Sequence, residues 1–493
     1  MTVVHSNPGS DMAALLDRQR SAFLKDGPPG LAERKARLKR LRAAVLAHRH
    51  EVADAVSADF GHRSQHETEL MEIVGVIQAI DYLSRNLRRF MKPERRHVGL
   101  FYRAGSARVE YQPKGVIGVM APWNYPFSLT LIPLATALAA GNRAMLKPSE
   151  LTPRTSDTIR RMLEEVFPAD EVAVVLGGAD VGAAFSGLPF DHLLFTGSTP
   201  VGRKVMGAAS DNLVPLTLEL GGKSPTIIAR GHATAQALDS IVFGKLSNSG
   251  QTCVAPDYAL VHEDDLDTFI TEFNASVARF YPDGPTSRDY ASIVNDRHFE
   301  RLHSLIEDAR NRDARVIEAG VRPEQAAQRL RTLAPTLIVG VEDDAAIMRE
   351  EIFGPILPVR TYRTMDEVID YVNARPRPLA LYYFGPQDAD CEKLLVRTTS
   401  GNVGINNTMI HVAQDDLPFG GIGPSGMGAY HGIEGFRTMS HAKGVFVQGR
   451  WNLPALLRAP FGKLADIALK VALGSDKRRS KVIGTREYSR RLE

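Results

Sequence analysis

The chain has 493 residues, more than a single hydrophobic core usually fills, so two or more domains are expected. Hydrophobic residues at 44% and charged residues at 24% exclude disordered, collagen-like and membrane-embedded classes. Sixty Lys and Arg against 57 Asp and Glu leave a formal charge of +3, too slight to imply a nucleic-acid partner.

That charge is unevenly placed. From Trp451 to Glu493 ten Lys and Arg face four Asp and Glu, so the basic excess belongs to the tail. The two cysteines, Cys253 and Cys391, cannot form a metal cluster alone and make a sparse disulfide framework, which fits a reducing compartment. No apolar stretch precedes a small-residue cleavage site near the N-terminus, and no run of about 18 apolar residues occurs. A cytoplasmic protein is expected.

In chain order, the stretch from Asp11 to Arg89 predicts amphipathic helices, with Leu38, Leu41, Val45 and Leu46 at three-to-four spacing among Lys and Arg. From Gly115 the rhythm changes to short apolar runs alternating with helical segments: Val116–Met120, Arg143–Lys147, Val172–Leu176, His192–Phe195 and Leu216–Leu220. The gaps between them suit crossover helices, which predicts a parallel, doubly wound sheet of the kind used for nucleotides. A second alternation from Gly222 to Asn407, with Tyr258–Val261, Thr336–Val339 and Leu379–Phe384, predicts a second α/β domain. Alternating residues over Arg95–Gln112 and His441–Trp451 lie outside both and are expected to pair separately. Leu417–Gly428 reads as an ordered Gly/Pro-rich loop.

Several residues in this framework carry chemistry. Cys253 follows Ser249-Gly250-Gln251-Thr252, small and flexible neighbours that suit an accessible nucleophile, although a lone cysteine more often packs as a small hydrophobe. Cys391, in a helix-like setting, takes that second role. Glu219 closes an apolar strand just before Gly221-Gly222-Lys223, where ligands meet an open α/β sheet. Burial there makes it a base working near neutrality, and a salt bridge to Lys223 is the plain alternative. The turn Phe195–Gly202 runs from strand to helix and can face a pyrophosphate, though it lacks the G-x-G-x-x-G fingerprint and also reads as an ordinary turn. Lys147-Pro148-Ser149-Glu150 ends another strand, where a cation and a carboxylate can hold ribose hydroxyls or form a solvated pair. Asn124, in Pro122-Trp123-Asn124-Tyr125-Pro126, either stabilises an oxyanion or caps a turn.

Taken together, Pro-Trp-Asn-Tyr-Pro, Lys-Pro-Ser-Glu, Phe-Thr-Gly-Ser, Leu-Glu-Leu-Gly-Gly-Lys, Gly-Gln-Thr-Cys, Glu-Glu-Ile-Phe-Gly-Pro and Pro-Phe-Gly-Gly resemble the aldehyde dehydrogenase superfamily in order and spacing, from about Leu16 to Trp451. Gly404–His411 and Gly426–Gly432 look like its class 3 branch, and within that the coniferyl aldehyde dehydrogenases. The resemblance implies Cys253 as nucleophile, Glu219 as general base and Asn124 with the Cys253 amide as oxyanion donors. It puts Trp123, Lys147, Ser149, Glu150, Gly197, Ser198, Gly221, Glu351 and Phe353 around an NAD cofactor, with NADP also possible, and Tyr125 and Phe419 along the substrate tunnel. It implies no metal. Thr252 stands where many relatives carry another residue and is expected to tune the nucleophile.

The architecture expected on this basis is α/β: a Rossmann-like NAD(P)-binding domain over 1–94 and 114–221, a catalytic domain over 222–440, oligomerisation strands over 95–113 and 441–451, and a basic tail over 452–493. The expected reaction is oxidation of an aldehyde, aromatic such as coniferyl aldehyde or medium-chain aliphatic, to its acid. An acyl transfer to coenzyme A or a reductive role is the rival enzyme reading, disfavoured by Glu219, and a scaffold without activity is disfavoured by the intact nucleophile, base and donor. A homodimer is expected from the strand segments. The tail, with Leu456, Leu457, Phe461, Leu464, Ile467 and Leu469 partly on one side, is expected to pack as a helix, contact with an anionic membrane being the sharper alternative.

Overall fold

The computed structural model describes residues 8–99, 102–320, 329–452, 455 and 458–473. The N-terminal region is helical as its spacing predicts, over Pro8–Asp26, Leu31–Ala47, Arg49–Phe60, Gln65–Thr68 and Val74–Phe90, with a π-helical turn at Glu69–Ile73. Leu38, Leu41 and Val45 form the buried stripe, while Leu46, one position past it, is exposed.

The strands, in order, are β1 (Glu94–Arg96), β2 (Ser106–Pro113), β3 (Val116–Met120), β4 (Arg143–Lys147), β5 (Val172–Val174), β6 (His192–Gly197), β7 (Leu216–Leu220), β8 (Pro225–Ile228), β9 (Tyr258–His262), β10 (Arg315–Glu318), β11 (Thr336–Val339), β12 (Ile356–Tyr362), β13 (Ala380–Phe384), β14 (Asn402–Ile405), β15 (Gly426–Met427) and β16 (Ser440–Val447). The first alternation becomes a parallel sheet ordered β7-β6-β3-β4-β5, which β15 extends antiparallel to β7. β3 is buried along its whole length and reads as a continuous apolar run, and β4 is buried as fully although Arg143 and Lys147 stand at its ends. β5 stops at Val174, short of the predicted Leu176, because the chain turns out through Gly177 and leaves Leu176 exposed.

The second alternation becomes a sheet ordered β10-β11-β12-β9-β8-β13-β14, parallel except for β10. Both large sheets belong to one compact unit, Met1–Phe90 with Gln112–His441. A second unit comprises Met91–Tyr111 and the chain from Ala442 onward. The small sheet β1-β2-β16 unites the two segments expected to pair. β16 ends at Val447, short of the predicted Trp451, because the backbone at Gly449 runs so close to the Ala104 carbonyl that no Cβ would fit there.

The helix Lys463–Leu473 has no buried residue and leaves Leu464, Ile467 and Leu469 exposed. Leu456, Leu457 and the basic stretch after residue 473 lie outside the described residues. Among the described residues, no helix is long and apolar enough to cross a membrane.

Candidate active site

The first sheet winds outward from β3 through β4 to β5, then crosses back to β6 and β7 on the other side. The crevice at the carboxyl ends of β3 and β6 is therefore the topological switch point, where open α/β sheets bind ligands. A cavity of about 990 Å³ opens there. Its walls include Pro122–Asn124 after β3, Gly197–Thr199 after β6, Glu219–Lys223 at the end of β7, Cys253 before β9, and Glu351 and Phe353 before β12. The carboxyl edge of one sheet thus meets the amino edge of the other.

Cys253 is delivered by a helix that ends abruptly. Thr234 caps Ala235–Leu246, and the chain then turns through Asn248 and Ser249, both at φ 51°, and Gly250 at φ 75°. Left-handed backbone at non-glycine residues costs free energy and persists only where the surroundings enforce it. Here Gln251 Nε2 donates to the Asn248 and Ser292 carbonyls at 2.9 and 3.1 Å, Gln251 Oε1 accepts from Val294 N at 2.9 Å, and the Ser249 hydroxyl donates to Ala291 O. A Cβ at Gly250 would collide with the Gly354 and Lys245 carbonyls. The thiol is left partly exposed and faces the cavity wall. Burial, with the Glu351 and Glu219 charges adding to it, pushes the thiol up to about 12. Cys391 is buried in the helix Ala389–Arg397, as expected of a packing cysteine.

Asn124 is 3% exposed and its Nδ2 donates to Gln251 O at 3.1 Å, so one amide proton is fixed and the other has no partner among the described residues. Tyr125 is buried next to it, its hydroxyl 2.9 Å from Thr252 Oγ1, which gives Thr252 a defined partner beside the nucleophile.

Glu219 is also 3% exposed, between Leu218 and Leu220, and neither carboxylate oxygen has a hydrogen-bond partner among the described residues. Burial raises its pKa well above the ordinary carboxylate range. The alternative of a bridge to Lys223 fails: Lys223 Nζ pairs with Asp257 and donates to Ile347 O and Glu350 O at 2.7 and 3.0 Å.

The rest of the cavity fits a dinucleotide. The first turn of Thr199–Ser210 lines it, and the leading N–H groups of a helix have no intrahelical partner, which favours phosphate. At Gly221 a Cβ would collide with the Glu351 carboxylate, whose Oε1 accepts from Gly222 N at 3.1 Å. Burial pushes Glu351 up to about 7. Phe353 is held at φ 51°, with its ring 5.3 Å edge-on from Trp123, and Trp123 in turn sits 5.0 Å from His298. Lys147, Ser149 and Glu150 are not among the walls. They end the neighbouring β4, where Lys147 is buried and pairs with the exposed Glu150 at 3.0 Å.

Phe419 is buried in a ring cluster with Tyr430, His431 and His411, at centroid distances of 6.0, 5.1 and 6.3 Å. Tyr430 is close enough to Glu219 and Cys253 for their charges to bear on its hydroxyl, after burial the next causes of its raised pKa. Burial depresses both histidines to about 4, and none of their ring nitrogens has a partner among the described residues. The sequence supplied a weak signal for these groups, since Tyr430 and His431 stood in the branch signature without a role. Arg63 and Glu72, buried behind Asn124, carried no signal at all. Among the described residues no group of three or more His, Cys, Asp or Glu can hold a metal ion.

Comparison with known proteins identifies the family. The model of the aldehyde dehydrogenase family matches residues 4–445. The chain is 49% identical over 469 residues to coniferyl aldehyde dehydrogenase of Pseudomonas sp. strain HR199, covering 94% of this chain and 97% of the relative. It is 35% identical to the dimeric NADP-preferring aldehyde dehydrogenase of Mus musculus, over 90% and 96% of the two chains. The structure of Staphylococcus aureus AldH in a substrate-bound state superimposes with a TM-score of 0.87 at 37% identity, covering 93% of this chain and 99% of that one. With the family model matched from end to end of the larger unit, the chain belongs to the aldehyde dehydrogenase family, enzymes that oxidise aldehydes with NAD(P).

Proposed function

We propose that this enzyme oxidises an aromatic or cinnamyl aldehyde to the carboxylic acid through a thioester on Cys253. The observation that carries the reading is the convergence, on one cavity, of a cysteine, a buried amide donor and a carboxylate without a partner. Cys253 gives up its thiol proton to solvent water and attacks the carbonyl carbon as the thiolate, and the Asn124 amide proton not engaged by Gln251 and the Cys253 N–H hold the resulting oxyanion. The bound dinucleotide supplies the acceptor for the hydride that leaves this carbon. Glu219 then takes a proton from water attacking the thioester, and the acid departs as the Cys253 thiolate is regenerated. Trp123, Gly197, Ser198, Gly221, Glu351 and Phe353 would hold a dinucleotide in the cavity, and Lys147, Ser149 and Glu150, at the end of the neighbouring β4, would supply the cation and carboxylate for its ribose hydroxyls.

The substrate class is supported by the ring cluster of Phe419, Tyr430, His431 and His411, in which Tyr430 comes near Glu219 and Cys253, although neither Phe419 nor Tyr125 is among the residues lining the cavity. The coniferyl aldehyde activity named for the Pseudomonas relative points the same way. Glu150 repels a 2′-phosphate, so NAD is the preferred cofactor, although its pairing with Lys147 softens that preference. Turnover of coniferaldehyde, cinnamaldehyde, benzaldehyde and hexanal with NAD or NADP, with and without coenzyme A, tests the reading. Cinnamyl substrates with NAD should give the highest kcat/KM and free acid as product. An aliphatic preference overturns the substrate class, a clear NADP preference overturns the cofactor reading, and a coenzyme A thioester as product overturns hydrolysis.

Two free thiols suit the cytoplasm, which is the location proposed. The assembly proposed is a homodimer. β16 pairs on one side with β2, its residues are mostly exposed, and an unpaired outer strand is readily closed by a second copy across a twofold axis. Light scattering of the full chain at micromolar concentration should report a dimer, and a monomer there removes this proposal.

A further inference from the structure

The ion pair Arg63–Glu72 sits behind the catalytic wall, and it is unusual. Both side chains are fully buried, with Arg63 Nη1 2.8 Å from Glu72 Oε1, and Arg63 Nε and Nη2 have no hydrogen-bond partner among the described residues. Burying such a pair costs several kcal/mol in desolvation, and an apolar replacement is often as stable. Stability alone therefore does not account for it.

Its bonds are directed at the catalytic loops. Arg63 Nη1 also donates to the Asn124 carbonyl at 3.2 Å, and the guanidinium lies 4.6 Å over the Tyr125 ring. The second oxygen of Glu72 accepts from Phe127 N and Ser128 N at 2.8 and 3.1 Å, so the pair grips the Asn124 loop at two points. The same short segment holds the nucleophile loop: Glu67 accepts from Asn248 N, and Asn248 Nδ2 donates to the Asn124 carbonyl at 2.9 Å. Glu67 lies just before the π-helical turn Glu69–Ile73 and Glu72 lies within it.

We propose that Arg63, locked by Glu72, is a positioning residue for the oxyanion donor: it holds the Asn124 backbone so that the amide proton not engaged by Gln251 meets the developing oxyanion. This rests on the role proposed above for Asn124. Arg63 touches neither substrate nor cofactor in this scheme, so it acts on the chemical step and leaves dinucleotide affinity unchanged.

A double-mutant cycle tests it. R63M/E72Q removes both charges while the amide oxygen introduced at position 72 still accepts from the Phe127 and Ser128 backbone N–H groups, and it should lower kcat by about 30- to 100-fold, the cost of a displacement near 1 Å. Its dinucleotide Kd and Tm should match the wild type. N124A should lose about 100- to 1,000-fold. Adding R63M/E72Q to N124A should cost less than about threefold more, because the group being positioned is gone. R63K, whose single ammonium cannot reach Glu72 and the Asn124 carbonyl with the same geometry, should fall between wild type and R63M/E72Q, and it serves if the double variant does not fold. Wild-type turnover in folded R63M/E72Q, or in R63K where only that variant folds, overturns the proposal, as does a full additive loss in the N124A background. Wild-type turnover in N124A instead overturns the oxyanion reading itself.

Discussion

Replacing Cys253 with alanine should abolish aldehyde oxidation, with a loss on the order of 10⁴-fold or more, while dinucleotide affinity stays within about twofold of wild type. The size of the effect follows from the covalent step, because without the thiol the tetrahedral thiohemiacetal oxyanion from which hydride leaves does not form. Cys391 cannot substitute, being buried in the helix Ala389–Arg397 away from the cavity walls. Cys253 is partly exposed, so losing its sulfur should disturb folding little, and the Tm should be close to wild type. Steady-state NADH formation together with fluorescence titration of the dinucleotide checks both halves. Residual turnover above about 1% of wild type would sink the assignment, since the oxyanion donors and the bound substrate alone do not supply so much rate.

The Glu219→Gln variant should separate the two halves of the reaction. Acylation needs the thiolate and the oxyanion donors, which remain. Deacylation needs a base on water, and losing one typically costs 10²- to 10⁴-fold. Quenched protein should carry the mass of the aldehyde less two hydrogens on Cys253, and absence of that adduct would remove the base role. Wild-type deacylation should rise with pH through the raised pKa of Glu219, because only the ionised carboxylate accepts a proton, whereas the variant should be flat. Stability should move in the opposite sense. A carboxyl whose folded pKa lies above its unfolded value near 4.5 binds more protons when folded, so its contribution to stability falls as pH rises between the two. Glu219→Gln removes that penalty, and its Tm should exceed wild type at pH 8 and converge with it below about pH 4.5. A variant that is both more stable and unable to deacylate is the signature of a carboxylate buried for function.

Much of this protein is legible in its sequence. The runs at 116–120, 143–147, 216–220 and 336–339 became strands with the predicted bounds, because strands buried on both faces are dominated by apolar residues and their ends are cut by turn residues. The helix-opening turn at Gly197-Ser198, the small residues before Cys253 and the acid inside an apolar strand were visible for the same reason: each is a local feature of composition and period. Their order identified the family, as the match over residues 4–445 bears out.

What only the tertiary structure decided is who partners whom. Lys223 stands four residues from Glu219, yet it bonds Asp257, and that choice leaves Glu219 alone in an apolar strand with its raised pKa. Phe353 and Ser249 adopt left-handed backbone that no local rule predicts for them. The Arg63–Glu72 pair reaches a loop about sixty residues downstream through the Asn124 carbonyl, Phe127 N and Ser128 N. Side-chain periodicity reports only which face of an element is buried. The partners on that face come from segments far apart in the chain, brought together when two sheets dock edge to edge, and their identity enters the energetics only once that docking has closed the loops between them.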